Sequence, residues 1–471
     1  LKKLEHLRSL YINPYPYRFD RTHTFLEIKD KFEELTDSQQ VVSICGRIIT
    51  IRKHGRTTFA TLIDENANLQ IYLRKEDLKE KYDLLEDFDI GDYIGVKGKV
   101  FKTKTGEITI LVDNFEILAK SLRPLPEKWH GLKDIEIRYR KRYLDLIANP
   151  EVKEIFKQRT RVIKLIRQFF DGQGFIEMET PILQTIYGGA AARPFTTFFN
   201  ALDQQMYLRI ADELYLKRLI VGGFDKVYEI GKDFRNEGID RLHNPEFTQI
   251  EAYQAYTDYE GIMNLVEALL EFLVQNIKNE PRLELHGESV PFTRPFNRLK
   301  YVDALNKKIG FDILNAPLEK VNKECQALGI NLENLSIGLK IDKLFSELIQ
   351  KELKEPTFVV DYPKLTSPLA KQHRENANVV ERFELVVFGL EIVNAFSELN
   401  DPIEQRKRFE MQLQQKEEGI AEIDEDFLEA LEYGMPPTGG LGIGIDRLCM
   451  ILLNQPSIRD IILFPQLKKE Q

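Results

Sequence analysis

Residues 227–256 read VYEIGKDFRNEGIDRLHNPEFTQIEAYQAY. Val227, Tyr228, Glu229 and Ile230 have the pattern of a short strand, and a polar, charged loop follows from Gly231 to Asn244. A second strand-like run extends from Phe247 to Tyr256, and period-two alternation sets Phe247, Gln249, Glu251 and Tyr253 on one of its faces. Arg235 and Glu237 lie on the first arm, Arg241 and His243 in the loop. Two antiparallel strands joined in this way hold a guanidinium, a cationic loop tip and an aromatic platform around one polyanion. A nucleotide asks for that set, because Arg is a rigid fork for phosphate oxygens and an aromatic face carries a purine. On composition alone, the same residues also describe a surface hairpin with solvated charges.

The literal string separates the two readings. FRNEG-x-x-x-x-HNPEFT-x-x-E-x-Y resembles motif 2 of the class II aminoacyl-tRNA synthetases, in the spelling of the lysyl enzymes, and the resemblance extends over nearly the whole chain. It implies an α+β protein, with an N-terminal OB-fold β-barrel followed by a class II antiparallel-sheet catalytic domain flanked by helices. The implied layout is a helical extension at 1–40, an anticodon-binding barrel at 41–119, a linker at 120–134 and a catalytic domain at 135–471.

Composition sets outer bounds. A chain of 471 residues with 43% hydrophobic and 30% charged residues is long enough for two or three domains with an ordinary globular core. Cys45, Cys325 and Cys449 are far apart and form no CxxC, which argues against a disulfide framework or a structural zinc and fits a reducing cytosol. No apolar run approaches the roughly 18 residues that a spanning helix needs, so neither a membrane span nor a membrane partner is expected. The chain starts at Leu1 rather than Met, which leaves open a leader lost from a trimmed N-terminus. Residues 1–149 hold 27 Lys and Arg against 24 Asp and Glu, while the remainder carries the whole excess of a net charge of −9. RNA binding would therefore need a local basic stripe.

From Val41 to Ala119 five strand candidates appear, with the helical insert KEDLKEKYDLLEDF after the third, as an OB-fold requires. Phe59 in the second strand is either a base-stacking platform or barrel core, and Arg47, Gln70 and Glu107 are candidate base-edge readers. GR-x-x-x-x-R, TFATLID and LQIY resemble the anticodon domain of the lysyl enzymes, which implies that Phe59 stacks on an anticodon uridine. SLRPLPEKWHGLKD is a Pro- and Trp-containing linker, and the basic run RYRKRYLDL after it reads as a solvated helix face. Residues 150–173 have the periodicity of a long amphipathic helix, and GFIEMETPILQ that of a strand. Together they resemble motif 1, which implies a homodimer.

GGAAARPF at 188–195 lacks the Lys-Ser/Thr of a P-loop, so a Walker-type ATPase is rejected. In FELVVFGLEIVNAFSELND, Glu391 and Glu398 are seven apart around Asn394 and Phe396, and strict alternation does not put them on one face. Two carboxylates beside a triphosphate need a cation between them, and Mg²⁺ is the usual one. TGGLGIGIDRL at 438–448 is a glycine-rich strand entering an apolar helix, and resembles motif 3; its glycines would let backbone approach adenine, with Arg447 over the base opposite Phe247.

The resemblance implies ATP-dependent activation of L-lysine and its transfer to tRNA(Lys) by a cytoplasmic homodimer. Arg235 and Arg447 would be catalytic, and Arg235, Glu237, His243, Asn244, Phe247, Glu391 and Arg447 would bind ATP. Gly189, Glu213, Arg235, Glu251, Tyr253, Asn394, Phe396 and Glu398 would bind lysine, with Glu391 and Glu398 holding Mg²⁺. None of the residues chosen for the side-chain pocket is basic, which favours lysine over an aspartyl or asparaginyl substrate. A non-catalytic nucleotide-binding scaffold on this fold would be expected to have lost Arg235, Glu391 or Arg447, all of which are present.

Overall fold

The computed structural model describes residues 1–126, 132–331, 335–414 and 422–469. Residues 127–131 of the expected linker, including its Trp, lie outside them. The chain divides into two compact units, Leu1–Lys133 and Asp134–Gln471.

The first unit is a closed five-stranded barrel of β1 (Val41–His54), β2 (Thr57–Ile63), β3 (Asn68–Arg74), β4 (Tyr93–Lys102) and β5 (Ile108–Ala119), in the order β1-β2-β3-β5-β4. Closure comes from a parallel β3–β5 pair, with Ile71 opposite Ile110. Val42, Ile44, Leu62, Ile71, Val96, Ile110 and Val112 alternate inward and fill the barrel. The insert after β3 is one turn of α-helix followed by a 3₁₀ segment to Asp87.

The second unit is built on an eight-stranded sheet. Its strands are β6 (Ile176–Glu177), β10 (Lys226–Phe234), β11 (Glu246–Ala255), β14 (Asn297–Lys300), β15 (Thr357–Pro363), β16 (Val379–Val387), β17 (Leu390–Ser397) and β18 (Thr438–Gly444), in the order β14-β15-β16-β17-β18-β11-β10-β6. The pairs are antiparallel except at the two edges, where β6 and β14 run parallel to their neighbours. Strands β7 (Leu183–Gln184), β8 (Thr196–Phe199) and β9 (Gln204–Leu208) form a small separate sheet, and β12 (Arg282–Leu285) pairs with β13 (Glu288–Pro291). One face of the large sheet is covered by the helices Pro150–Gly172, Tyr259–Ile277 and Ile445–Leu452 around Ile166, Val266, Val393 and Met450. The helices of 301–348 add a second core around Leu305, Leu344 and Phe345.

Three expectations are corrected. The first arm of the hairpin does not stop at Ile230: pairing with β11 continues through Phe234, because Gly231–Phe234 still finds backbone partners there. GFIEMETPILQ yields only two-residue strands, since Pro181 interrupts it. The run RYRKRYLDL is not a solvated face, because Arg142 is fully buried, paired with Asp145 at 2.6 Å and donating to the carbonyls of Arg459 and Leu463. A fixed fork suits these chain-end carbonyls better than water does.

Candidate functional site

The open face of the sheet carries a cavity of about 450 Å³. Its floor is β18, lying between β11 and β17. Gly440 is paired with Tyr253 on one side and Phe396 on the other, Gly442 with Glu251 and Asn394, and Gly444 with Gln249. Small residues on the middle strand and large polar or aromatic ones on both neighbours make a trough, since cross-strand partners share a face. All fourteen residues expected around the substrates line it: Gly189, Glu213, Arg235, Glu237, His243, Asn244, Phe247, Glu251, Tyr253, Glu391, Asn394, Phe396, Glu398 and Arg447.

One end is cationic. The Arg235 guanidinium lies 5.0 Å from the Phe247 ring centroid, with Nε and Nη2 each 3.4 Å from the Ile210 carbonyl. Arg447, at the start of the helix after β18, is 3.3 Å from Glu391 and 3.0 Å from His243 Nε2. A guanidinium only donates, so His243 accepts at Nε2 and carries its proton on Nδ1, which donates to Asp240 at 2.8 Å. Glu237 is exposed in the loop beside them. Asn244 donates to the Glu246 carbonyl and accepts from the Gln466 backbone N–H, so its amide is engaged within the protein. Asp446, unmarked by the sequence reading, holds the helix start in place by accepting from Arg159 at 2.7 Å and from the Thr248 N–H at 2.8 Å.

The other end is acidic. Gly189 adopts φ +88°, and a Cβ there would meet Ala211 and Glu213, so only glycine fits this turn of the loop. Glu213 opens the helix Glu213–Val221, and Lys217, one turn later, sits 2.5 Å from it and also contacts Glu398. Lys217 is fully buried, behind the cavity wall. Burial works against its charge, but the two carboxylates outweigh that and hold its pKa above the ordinary lysine value. Burial raises Glu213 and Glu398, against the pull of Lys217. Glu251 accepts from Tyr253 at 2.8 Å and from Gln249 at 2.7 Å, and burial followed by the Asp212 charge raises it well above the carboxylate range. Asp212 is itself pushed up to about 6 by burial.

Between the ends, β17 resolves the spacing problem. Leu385 pairs with Val393 but Val386 pairs with Glu391, so Ile392 is an extra, bulged residue. One inserted residue shifts the alternation by one, bringing Glu391 to the face of Asn394 and Phe396. On the same face, Glu384 of β16 lies opposite Asn394 and is pushed up to about 7, first by burial and then by the Glu391 charge. Arg382 joins Glu384 at 2.7 Å to the Asn394 carbonyl oxygen at 3.0 Å, leaving the Asn394 NH₂ for the cavity.

The expected pairing of Glu391 with Glu398 on one metal is therefore corrected. Glu398 lies at the acidic end of the trough against Lys217, and the carboxylate on which the Glu391 charge acts is Glu384, itself paired with Arg382 at 2.7 Å.

In the barrel unit, Phe59 is not core. Thr58 and Ala60 point inward while Phe59 faces out, stacked on Tyr72 at 4.3 Å and 19°. Gln70 lies on the same outer face, opposite Thr61, and accepts from Thr109 at 3.0 Å. Arg47 is drawn aside, 4.3 Å over the Tyr93 ring and donating to the Gly91 carbonyl at 2.9 Å. Glu107 is exposed just before β5. Tyr72 was legible only as the residue opposite Phe59 on the next strand.

Family models and several known proteins match the chain. A family model described as tRNA synthetases class II (D, K and N) matches residues 134–468, and one described as OB-fold nucleic acid binding domain matches residues 42–118. The chain is 50% identical over 477 residues to the lysine–tRNA ligase of Fervidobacterium nodosum, covering 100% of this chain and 93% of that protein. It is 52% identical over 475 residues to that of Carboxydothermus hydrogenoformans, covering 99% and 97%. Against that of Thermotoga maritima it is 50% identical over 481 residues, covering 100% and 95%.

Proposed function

The chain belongs to the lysine–tRNA ligases of the class II aminoacyl-tRNA synthetases, and from that premise we infer that its cavity joins lysine to ATP, releases pyrophosphate and passes the lysyl group to the 3′ end of tRNA(Lys). The observation that carries the reading is the division of one trough into a cationic and an acidic end. ATP lies at the cationic end, adenine on Phe247 and its phosphates toward Arg235, His243 and Arg447. Lysine lies at the acidic end, its α-amino group at Glu213 and the Gly189 loop, its stem along Phe396 and its ε-ammonium at Glu398 and Tyr253. Charged amines take carboxylates, and methylenes take the aromatic wall.

Activation is an in-line displacement. The lysine carboxylate attacks the α-phosphorus, a new C–O–P bond forms and the bond to pyrophosphate breaks. No protein nucleophile or general base is required, so the chain's task is positioning and neutralising charge. Arg235 reaches the α-phosphate and the lysine carboxylate together, while Arg447 and His243 take the distal phosphates. Glu384 and Glu391 are an all-oxygen donor pair suited to Mg²⁺, which would neutralise phosphate oxygens there. Burial and then the Glu391 charge push the Glu384 carboxyl up, and that repulsion between the two carboxylates fits a cation.

The outer barrel face would hold the anticodon, a base stacking on Phe59 and base edges at Gln70, Glu107 and Arg47. A second copy of the chain would cover the exposed Ile176, Ile182, Leu183, Phe198, Phe199 and Leu202 near the small sheet. No helix among the described residues is long and apolar enough to cross a membrane, and the reading places the enzyme with its tRNA in the cytoplasm.

The test is ATP–pyrophosphate exchange without tRNA, run with lysine, aspartate and asparagine in turn. Exchange driven by lysine alone is expected. Exchange with aspartate or asparagine would refute the assignment of the acidic end.

A further inference from the structure

We propose that Lys217 is a positioning residue for the amino-acid substrate: buried behind the wall and bridging Glu213 and Glu398, its ammonium keeps both carboxylates aimed and charged for the substrate's two amino groups. This rests on the reading of the acidic end as the lysine site. The contacts come from two elements. Glu213 and Lys217 are i and i+4 on one helix, 2.5 Å apart, and Glu398 reaches the same ammonium from the end of β17. The Lys217 Nζ also lies 5.4 Å from the Phe396 centroid and 5.9 Å from that of Tyr253. It thus sits behind the same four side chains that present themselves to the substrate on the other side.

Charge counting gives the reason. Glu213, Glu251 and Glu398 line the cavity, and Lys217 stands behind them. Burial and the neighbouring Asp212 hold Glu251 towards its neutral form, so Glu213 and Glu398, each against Lys217, are the two carboxylates set to meet the α- and ε-ammonium groups of lysine. Without Lys217, three carboxylates in a dry wall repel one another and take up protons, and a protonated carboxyl is a poor partner for an ammonium. The other groups facing this set do not replace it. From β11, Tyr253 and Glu251 add no positive charge. From β16, Arg382 is committed to Glu384, Asn394, Ser367 and the Thr366 carbonyl. Substrate binding favours the ionised carboxylates, so the KM for lysine falls as pH rises through their pKa. Removing Lys217 moves that pKa, and with it the inflection, to higher pH.

The experiment measures the KM for lysine by pyrophosphate exchange from pH 6 to 9.5, in the wild-type chain, Lys217→Met and Lys217→Gln. At pH 7 both variants should lose at least thirtyfold in kcat/KM for lysine, mostly through KM, with the KM for ATP within about twofold. Their inflection should rise by at least one pH unit, so that the deficit shrinks at alkaline pH. A deficit that is the same at every pH, as a purely structural role would give, overturns the proposal, and so does an unchanged KM for lysine. Should neither variant fold, the wild-type chain decides. Calorimetry of L-lysine binding at pH 7, in buffers of different ionisation enthalpy, should show at most one proton released, and two or more overturn it. Failure of the site reading looks different, because the wild-type chain would then show neither lysine-driven exchange nor heat of lysine binding, and the proposal would fall with it.

Discussion

Gly440→Ala probes the acidic end with one methyl group. On the floor of the trough, a Cβ at Gly440 would lie 2.0 Å from Glu398 Oε1 and 2.5 Å from Tyr253 Cε1, where ordinary contact begins at 3.4 Å. Glu398 would have to retreat by more than an ångström, yet it is fully buried and Lys217 stands against its other oxygen. Overpacking of this kind costs about 1–3 kcal/mol, and uncoupling a buried ion pair about 3–5 kcal/mol. If about 3–4 kcal/mol of this falls on substrate binding, kcat/KM for lysine drops by roughly two to three orders of magnitude. The assay is pyrophosphate exchange with lysine as the varied substrate, with the KM for ATP expected within about threefold of wild type. Gly444→Ala is the control on the same strand, since a Cβ there meets nothing within 4 Å, and its thermal midpoint should match wild type. A Gly440→Ala enzyme with the wild-type KM for lysine would refute the placement of Glu398 at the amino-acid end.

Two further outcomes follow from the geometry. Glu384→Gln should raise the Mg²⁺ concentration for half-maximal exchange at least tenfold, because it removes one of the two facing carboxylates; an unchanged requirement would return the metal to another set of ligands. Tyr72→Ala should raise the KM for tRNA about tenfold through loss of support behind Phe59, the scale of one base–aromatic stack. Exchange without tRNA should stay at the wild-type level, Tyr72→Phe should restore the KM, and an unaffected tRNA KM would show that Phe59 needs no backing ring.

The residues that the sequence made legible are those whose signal is local. Alternation along Phe247–Tyr253 set four side chains on one face, and β11 places them there. The five barrel strands were legible for the same reason, and so was the long helix at 150–172. The face that Glu391 takes was not, because a single bulged residue reverses the parity of everything before it, and bulges leave no mark in an apolar run such as GLEIVNAF. Glu384 was hidden likewise: its meaning comes from its partner across β16 and β17, and FELVV looks like an ordinary buried strand. Lys217 carried the weakest signal of all. On its helix it reads as a solvent-facing cation beside Leu216 and Arg218, and only the fold brings Glu398 to it. That omission bears on the substrate argument, which took the pocket to be free of basic groups. One stands behind its wall, but the two carboxylates it bridges outnumber it, so the acidic character survives.

Both ends of the trough share a device that neither substrate alone explains. At the phosphate end Arg447 rests against Glu391, and at the amino-acid end Lys217 rests against Glu213 and Glu398. An unpaired charge in such surroundings costs several kcal/mol, so each group is held by an internal partner of opposite sign. A substrate therefore meets groups that are already paired and fixed in direction, with less reorganisation left to its own binding energy. The two ends differ in what binding does next. Arg447 is only partly buried and can turn from Glu391 to a phosphate, leaving that carboxylate free for a cation. Lys217 is enclosed and cannot leave, so the acidic end keeps its geometry and accepts only a ligand that adds positive charge on the cavity side. A rigid acidic end and an adjustable cationic end suit an enzyme that must discriminate among amino acids while accommodating phosphates that change places during the reaction.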